Sequence, residues 1–504
     1  MKKIDTVILD CYTDEPSGFG VRPYLGTHQI HLSQALSYLK IDHYYLTIDD
    51  LRFASRGAFQ DPDNTDISTI NRTNNCDNAL EILNRAKTIY ILMGCFVDYA
   101  YFSTIPPKSD EVFEYLKNVK GYKVLFYVLG TVDGISPDYK FSKLSTIIDH
   151  VEHGNTYRHV LEDKAFGKND YLEPNYDLLD KISSCEPQII SQLRYPIIAE
   201  IETGTGCNVP YCYFCIESLR SPDVVYRHPD SIIKQVKVLY EYGVKHFRLG
   251  RQPNFYHFQY QDIAQVKRLL AGIREQCPNL LMLHVDNGNI INVISTKGIE
   301  ITKLIVQYCT SGNIIPLGIE SFDNTVRRAI KKVGSADQAL KAISIISDVG
   351  HEKGPDGLSK FLPGINLLYG LPGQSNTTHD INMKYLRMVL NNDWYTARLF
   401  FRRMTRPTGV SFVDGPESSR EYLAWFEDIT TSFVLPMQER VYPIGTIIKE
   451  NREVIIKNGD SYLRTLGTCP IRIMVKGVKL ENYEHYNIRI VENLGYRLLR
   501  GELV

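Results

Sequence analysis

Short apolar runs recur through the first part of the chain at Val7–Leu9, Tyr44–Leu46, Ile89–Met93 and Val124–Leu129, each ending near Asp, Gly or Thr. Between them lie stretches of helical periodicity such as His31–Leu39 and Asp110–Val119. Continuously apolar strands that alternate with helices predict a parallel, Rossmann-like sheet covered by helices. Residues 53–77 break the pattern. They are rich in Asn, Asp, Ser and Thr and read as a long insertion.

A second alternating series runs from Ile197 to about Arg403, with strands predicted at Ile197–Glu202, His246–Leu249, Leu281–Val285, Ile314–Ile319, Gly364–Leu368 and Ala397–Phe401. The helix after Asp230 is the clearest, because Ile232, Val236 and Leu239 share a face and Gly243 lies past its end. Six such units predict an incomplete (β/α)6 barrel, with active-site groups at the C-terminal strand ends. After EYLAWFEDITTSFVL and Pro436 the pattern turns to short β runs at Gly445–Lys449, Glu453–Ile456, Ile471–Val475 and Tyr486–Val491. These predict a small OB-like β-barrel. The expected division is residues 1–190, 191–435 and 436–504.

Composition narrows the function. A chain of 504 residues exceeds what one core usually organises, and 43% hydrophobic with 23% charged residues is ordinary for a globular protein. A net charge of −1 supplies no overall field for nucleic acid or acidic membrane, so RNA contact needs a local patch. No stretch approaches the ~18 apolar residues of a membrane span. The opening MKKIDTVILDCYTDEP reads as a buried strand rather than an export signal, since Asp5 interrupts it and Asp10, Asp14 and Glu15 close it. A reducing cytoplasm is therefore expected. Ten cysteines do not make a disulfide scaffold here, and three of them fall within nine residues, as in a metal site.

Those three lie in GTGCNVPYCYFCIESLR, where Cys207, Cys212 and Cys215 form a Cx4CxxC pattern directly after the first strand of the second series. Three thiolates on one short loop can hold three corners of a [4Fe–4S] cubane and leave the fourth iron open. Zinc would want a fourth Cys or His at compatible spacing, and none is evident nearby. The segment resembles the cluster loop of the radical S-adenosylmethionine (SAM) superfamily, down to the aromatic Phe214 before the last cysteine. It departs from the usual Cx3CxxC by one residue. The resemblance implies that SAM chelates the open iron and is split to a 5′-deoxyadenosyl radical, with the electron supplied by a donor such as ferredoxin or flavodoxin.

Several strand ends are similar to the family's SAM-contacting positions. They are Gly250, Arg251 and Gln252 after the second strand, Asp286 and Asn287 after the third, Glu320 and Ser321 after the fourth, and Gly370 and Leu371 after the fifth. The family's Gly-Gly-Glu motif is absent. FFRRMTRPTGV resembles the last barrel strand with its Arg-Pro-x-Gly ending. The flanks are similar to those of two groups, cobalamin-binding radical SAM methylases and methylthiotransferases with a second cluster and a C-terminal TRAM barrel. DEPSGFGVRPYLGTH is similar to a group of archaeal-type proteins related to both. The Asp-x-His-x-x-Gly loop that gives cobalamin its axial His is missing around His28. A second cluster would use Cys11 and Cys95 with Cys76 or Cys185, although free cysteines are commonly small core residues.

In the tail, Arg440, Lys449, Arg452, Lys457, Arg464, Arg472, Lys476 and Lys479 interleave with Tyr442, Tyr462, Tyr483 and Tyr486. Such a set suits phosphate contact and base stacking. The first expectation is thus a transferase that modifies RNA, with tRNA the implied substrate. The alternatives are a methylase or C–C bond former acting on a lipid or small molecule, and a non-catalytic iron–sulfur RNA-binding protein.

Overall fold

The computed structural model describes residues 5–12, 23–55, 77–94, 106–127, 143–152, 155–162, 174–209, 212, 214–215, 223–404, 415–469 and 471–504. It divides into two compact units, residues 1–201 with 230–247 and residues 202–229 with 248–504. Among the described residues, no helix is long and apolar enough to cross a membrane.

The first unit contains β1 (Thr6–Asp10), β2 (Tyr24–Leu25), β3 (His43–Thr47), β4 (Thr88–Met93), β5 (Tyr122–Tyr127) and β6 (His150–Glu152). All but β2 form a parallel sheet in the order β3-β1-β4-β5-β6, the doubly wound arrangement with its switch point between β1 and β4. Every residue of β1 is buried, and Val7, Leu9, Leu46, Ile89, Ile91 and Leu125 share one core with helix residues Leu83 and Leu116. At the switch point, Asp10 accepts from the Gln29 amide (3.0 Å), the Tyr12 N–H (2.8 Å) and the Tyr45 hydroxyl. Burial nonetheless pushes its carboxyl up to about 6. Cys11 next to it belongs to the same core, and burial, with Asp10 and Glu111, holds its thiol well above the ordinary value. It behaves as a small apolar residue. Strand β6 escaped the apolar-run reading because it is three residues long.

All six strands of the second series are present: β7 (Ile198–Glu202), β10 (His246–Gly250), β11 (Met282–Val285), β12 (Asn313–Glu320), β13 (Phe361–Tyr369) and β14 (Arg398–Arg403). A two-residue pair, β8 (Gly204–Thr205) and β9 (Val225–Tyr226), stands between β7 and β10 in the chain. The barrel strands lie in the orders β11-β10-β7-β2 and β12-β13-β14, linked by a parallel bridge between Gly288 and Leu317. Glycine eases the packing at that bridge, since a Cβ on Gly288 would sit 3.1–3.3 Å from side-chain atoms of Ile315 and Leu317.

The helix after β14 does not stop at Pro436. Ser419–Ile429 passes through a π turn at Thr430–Val434 into Leu435–Val441, where Pro436 occupies the first turn. The π turn directly ahead of it accommodates a residue that has no amide N–H to donate, so the residue that read as a terminator is tolerated. The tail then forms β15 (Ile447–Lys457), β16 (Asp460–Thr465), β17 (Arg472–Val475), β18 (Tyr486–Gly495) and β19 (Leu498–Leu503). These close into a barrel in the order β15-β16-β17-β19-β18 with β17 and β19 parallel, an OB-like arrangement. The two runs predicted at 445–449 and 453–456 are one strand bent by a register shift between Asn451 and Glu453. Strands β16 and β19 were not marked, because their inward residues alternate with polar ones and no apolar run results.

This barrel is the floor of the strand set above it. Thr468 reaches beneath β12, where its hydroxyl accepts from the Ile314 N–H (3.0 Å) and lies 3.1 Å from the Gly312 carbonyl and 2.9 Å from His284 Nδ1. Tyr496 donates to the Leu399 carbonyl at the start of β14 (3.1 Å), and the Lys449 N–H to the Asp356 carbonyl (3.0 Å). His284 Nε2 lies 3.0 Å from the Ser311 carbonyl, while the Thr468 N–H points at Nδ1 (3.3 Å), so the neutral Nε2–H tautomer satisfies both. Burial pushes its pKa down to about 3. Folded protein therefore leaves this ring neutral where the unfolded chain, at about 6.5, takes a proton. Stability is fully present above that value and falls as pH drops toward 3, by up to about 1.4 kcal/mol per unit from this residue. Urea midpoints at two pH values on either side of 6 should show the loss. His284→Gln should lower stability at neutral pH and shrink the difference between the two.

Candidate metal centre at the strand ends

The cysteine segment is closed at its base by the β8–β9 ladder, with Gly204 opposite Tyr226 and Thr205 opposite Val225. Only glycine permits this closure. A Cβ on Gly206, whose φ is +80°, would stand 1.9 Å from the Asp223 carbonyl oxygen, and one on Gly204 would stand 2.6 Å from the Tyr226 ring. The root of the loop is tied down as well, since the Thr203 N–H donates to the Gly250 carbonyl (3.3 Å) and Arg227 donates to the Glu202 carbonyl (3.1 Å).

Within the loop, the Val209 N–H points at Cys207 Sγ (3.4 Å), the kind of amide-to-sulfur contact that supports a thiolate ligand. The Cys215 N–H donates to the Cys212 carbonyl (3.1 Å), which puts these two cysteines on one turn. Asparagines stitch the loop to the strand ends. The Asn254 amide donates to Asn208 (3.1 Å) and Asn292 (2.8 Å), Asn208 donates to Asn292 (3.1 Å), and Asn254 accepts from the Asn289 N–H (3.0 Å). Sequence reading missed this group because a lone loop asparagine looks like a turn residue. It missed Lys332 too. Burial would lower that ammonium's pKa, but Glu320 and then Cys212 and Cys215 raise it. Its Nζ lies 3.4 Å from Glu320 and 5.8 Å from the centre of the Phe214 ring.

Three of the strand-end residues predicted to contact SAM share a backbone feature. Arg251, Asn287 and Glu320 have φ of +69°, +56° and +64°, a left-handed conformation that costs energy in non-glycine residues and gathers at functional sites. Arg251 is mostly buried, its side chain 11% exposed, with Nε 3.8 Å from Glu202, and desolvation pushes its pKa down to about 10. Gln252 is buried, and neither atom of its amide has a hydrogen-bond partner among the described residues. A buried donor and acceptor of this kind call for a ligand to satisfy them. Asp286 pairs with Arg248, and the Asn287 carbonyl accepts from the Phe255 N–H (2.9 Å). Burial raises the Glu320 carboxyl against the pull of Lys332.

The other positions are engaged within the fold. The Ser321 hydroxyl meets Asn382 (3.3 Å) and accepts from the Asp323 N–H (3.1 Å), supporting the turn after β12. The Gly370 and Leu371 amides both donate to Gln374 Oε1 (2.7 and 3.1 Å). Gly370 has φ +91°, and Leu371 packs with Val326 and Ile330 in the apolar cluster that Phe214 joins. Cys76 and Cys95 lie outside the described residues.

The donor set fits a [4Fe–4S] cluster with SAM. Three cysteines sit on a loop locked at its base, and a buried orphan amide and a carboxyl–ammonium pair lie at the neighbouring strand ends. Residues 201–380 match the model of the radical SAM superfamily. An uncharacterised protein of Methanocaldococcus jannaschii is 29% identical over 99% of this chain and 93% of its own, and one of Archaeoglobus fulgidus is 27% identical over 96% and 89%. Among solved structures, apo OxsB, described as a cobalamin-dependent SAM radical enzyme, has a TM-score of 0.50 and 13% identity over 76% of this chain. The chain spans about half (52%) of the length of OxsB. TsrM of Kitasatospora setae, a radical SAM methyltransferase solved with cobalamin and a [4Fe–4S] cluster, has a TM-score of 0.50 and 12% identity over 80% of this chain and 72% of its own. At these identities the likeness to both is one of fold.

Anaerobically reconstituted protein should carry about four iron and four sulfide, and Cys212→Ala should lose them. Gly206→Ala should cut iron loading severely with all three cysteines in place, because the loop can no longer close. Full loading of that variant would show that the ladder is not needed.

Proposed function

We propose that this chain, whose residues 201–380 match the radical SAM superfamily model, is a transferase that modifies an unactivated carbon of a small molecule held in the half-barrel. When bound, the cluster supplies the electron that splits SAM into methionine and a 5′-deoxyadenosyl radical. Cys207, Cys212 and Cys215 hold the iron. Gln252, Glu320 and Lys332 are placed to orient the amino-acid end of SAM, and the strained turns at Arg251, Asn287 and Glu320 fix those side chains in advance of binding. The small barrel tied beneath the strands covers the strand set from below, an arrangement that suits chemistry needing a dry chamber.

The observation that favours a small molecule over RNA is what the tail does with its basic and aromatic residues. Arg440 donates to the Leu390 and Trp394 carbonyls (3.0 and 3.1 Å), Arg464 pairs with the buried Glu453 (2.9 Å), and Tyr442 is buried with its hydroxyl 3.0 Å from Cys469 Sγ. These side chains are spent inside the protein. A second reading rests on Lys449, Lys457, Lys476 and Lys479, which are exposed on the OB-like barrel and suit an RNA backbone. Cobalamin is not assigned a step. The doubly wound sheet has a suitable crevice, but Asp10 is already engaged by Tyr45, Gln29 and Tyr12, and the neighbouring Cys11 is a core residue.

Reduced holoprotein should form 5′-deoxyadenosine from SAM without added substrate, and Cys212→Ala should not. Filter binding of bulk tRNA should be weak and insensitive to Lys476→Ala with Lys479→Ala. Tight binding that weakens steeply with salt and with that double substitution would move the function to RNA.

A further inference from the structure

Strand β6 closes one edge of the doubly wound sheet with only three residues, His150, Val151 and Glu152. Side chains alternate along a strand, so His150 and Glu152 share a face, and the register sets Glu152 beside Phe126 near the C-terminal end of β5. The next helix, Thr156–Glu162, brings His159 to the same carboxylate. His159 Nδ1 lies 2.9 Å from Glu152 Oε2, and His150 Nε2 lies 3.3 Å from that same oxygen. One ligand atom from each of the three residues stands within 4.8 Å of the other two.

The surroundings hold this arrangement in place. The His150 and His159 rings are nearly parallel, 25° apart with their centres separated by 5.3 Å. Phe126 and Tyr90 meet His159 edge-on, at 5.4 and 6.4 Å between ring centres. The helix that carries His159 is anchored too, since Thr156 donates to the His28 carbonyl (3.0 Å) and Tyr157 packs edge-on to His31.

A carboxylate that serves only as a hydrogen-bond acceptor can take two donors on two oxygens. Here both ring nitrogens converge on one oxygen, which gathers three electron-rich atoms at a point. Glu152 is 4% exposed, and a carboxylate so deeply placed favours a cation close by. Two imidazoles and one carboxylate are donors that zinc takes, and tetrahedral zinc, with bonds of about 2.0–2.1 Å, spaces its donor atoms about 3.3 Å apart. The two separations to Glu152 are already close to that. The histidine side chains, 37% and 21% exposed, have room to close the third.

We propose that His150, Glu152 and His159 form a metal site of their own, apart from the cysteines, which binds one divalent cation of the zinc type through two imidazole nitrogens and a carboxylate oxygen. Three protein donors leave a fourth coordination position for water or for a donor atom of a ligand, as open zinc sites do. The site stands at the C-terminal end of β6, the end of a parallel strand at which doubly wound folds carry their ligands. A bound cation also staples a three-residue edge strand to the helix that follows it. None of this depends on what the half-barrel holds.

The test uses full-length, cluster-loaded protein, freed of loosely held metal with a chelator and titrated anaerobically with zinc chloride in a calorimeter, with zinc and iron measured by elemental analysis. One zinc per chain should bind saturably in addition to the cluster iron. Magnesium in large excess should not displace it, because imidazole suits zinc whereas magnesium prefers oxygen ligands. Glu152→Gln and His159→Gln should each weaken zinc binding at least about a hundredfold, no less than the loss of an outer-shell partner can cost. His351→Gln, which alters an exposed histidine elsewhere, should bind zinc as wild type does. Should the site variants misfold, wild-type protein still locates the metal, since saturating zinc should shield His150 and His159 from carbethoxylation by diethyl pyrocarbonate, read by mass spectrometry. Absence of saturable zinc binding, zinc binding that either substitution leaves unchanged, or equal labelling of both histidines with and without zinc would overturn the site. The three residues would then be a hydrogen-bonded cluster at the sheet edge.

Discussion

A two-rung ladder, Gly204–Thr205 against Val225–Tyr226, carries more of this molecule's chemistry than its size indicates. Three thiolates must face the same few ångströms of space, yet like charges repel and a flexible loop would spread them. The ladder removes that freedom before any iron arrives. Closing the loop at its base fixes the ends of the chain that holds the cysteines, and the Asn208–Asn254–Asn292 bonds fix its side. Glycine at 204 and 206 is what lets the two backbones approach so closely. The strand core below supports this order, with Leu249, Val285 and Leu317 fully buried.

The strand ends obey the same economy of position. Successive strands deliver a charged or amide side chain where the backbone turns sharply, with Arg251, Asn287 and Glu320 all held at positive φ. Such turns would relax if the side chains were free to choose, and they persist because the surrounding packing over-determines them. Glu320 shows the device well. A register shift between Gly318 and Glu320 turns its carboxyl toward Lys332, and Gly318 leaves room for both, since a Cβ there would stand within 3 Å of each.

Much of this was legible in the sequence, for physical reasons that also explain what was not. The buried strands of both sheets are apolar along their length, so Ile89–Met93 or Ile314–Ile319 announced themselves within a residue or two. The cysteine spacing is local and needs no fold to be read. Features made by residues far apart stayed hidden. Nothing in FFRRMTRPTGV says that Arg398 and Arg402 would meet Arg497 around Phe400. Polar alternation concealed β16 and β19, and Pro436 looked like a stop because a π turn ahead of it cannot be foreseen. The tail's charges were countable, but whether an arginine faces solvent or a carbonyl, as Arg440 does, is decided only by packing.

The tie between Thr468 and the underside of β12 bears on how this chain could have been assembled over time. Small OB-like barrels usually travel as cassettes, joined to a catalytic domain by a linker and replaceable without harm to it. Here the cassette has been soldered in. Its loop satisfies backbone groups at Gly312 and Ile314, accommodates a histidine that must stay neutral, and brings Arg497 to the Phe400 ring of β14. Exchanging it for a relative's barrel would therefore open the floor and alter the lining of the chamber above. A change in the barrel's loop is thus felt directly at the underside of β12.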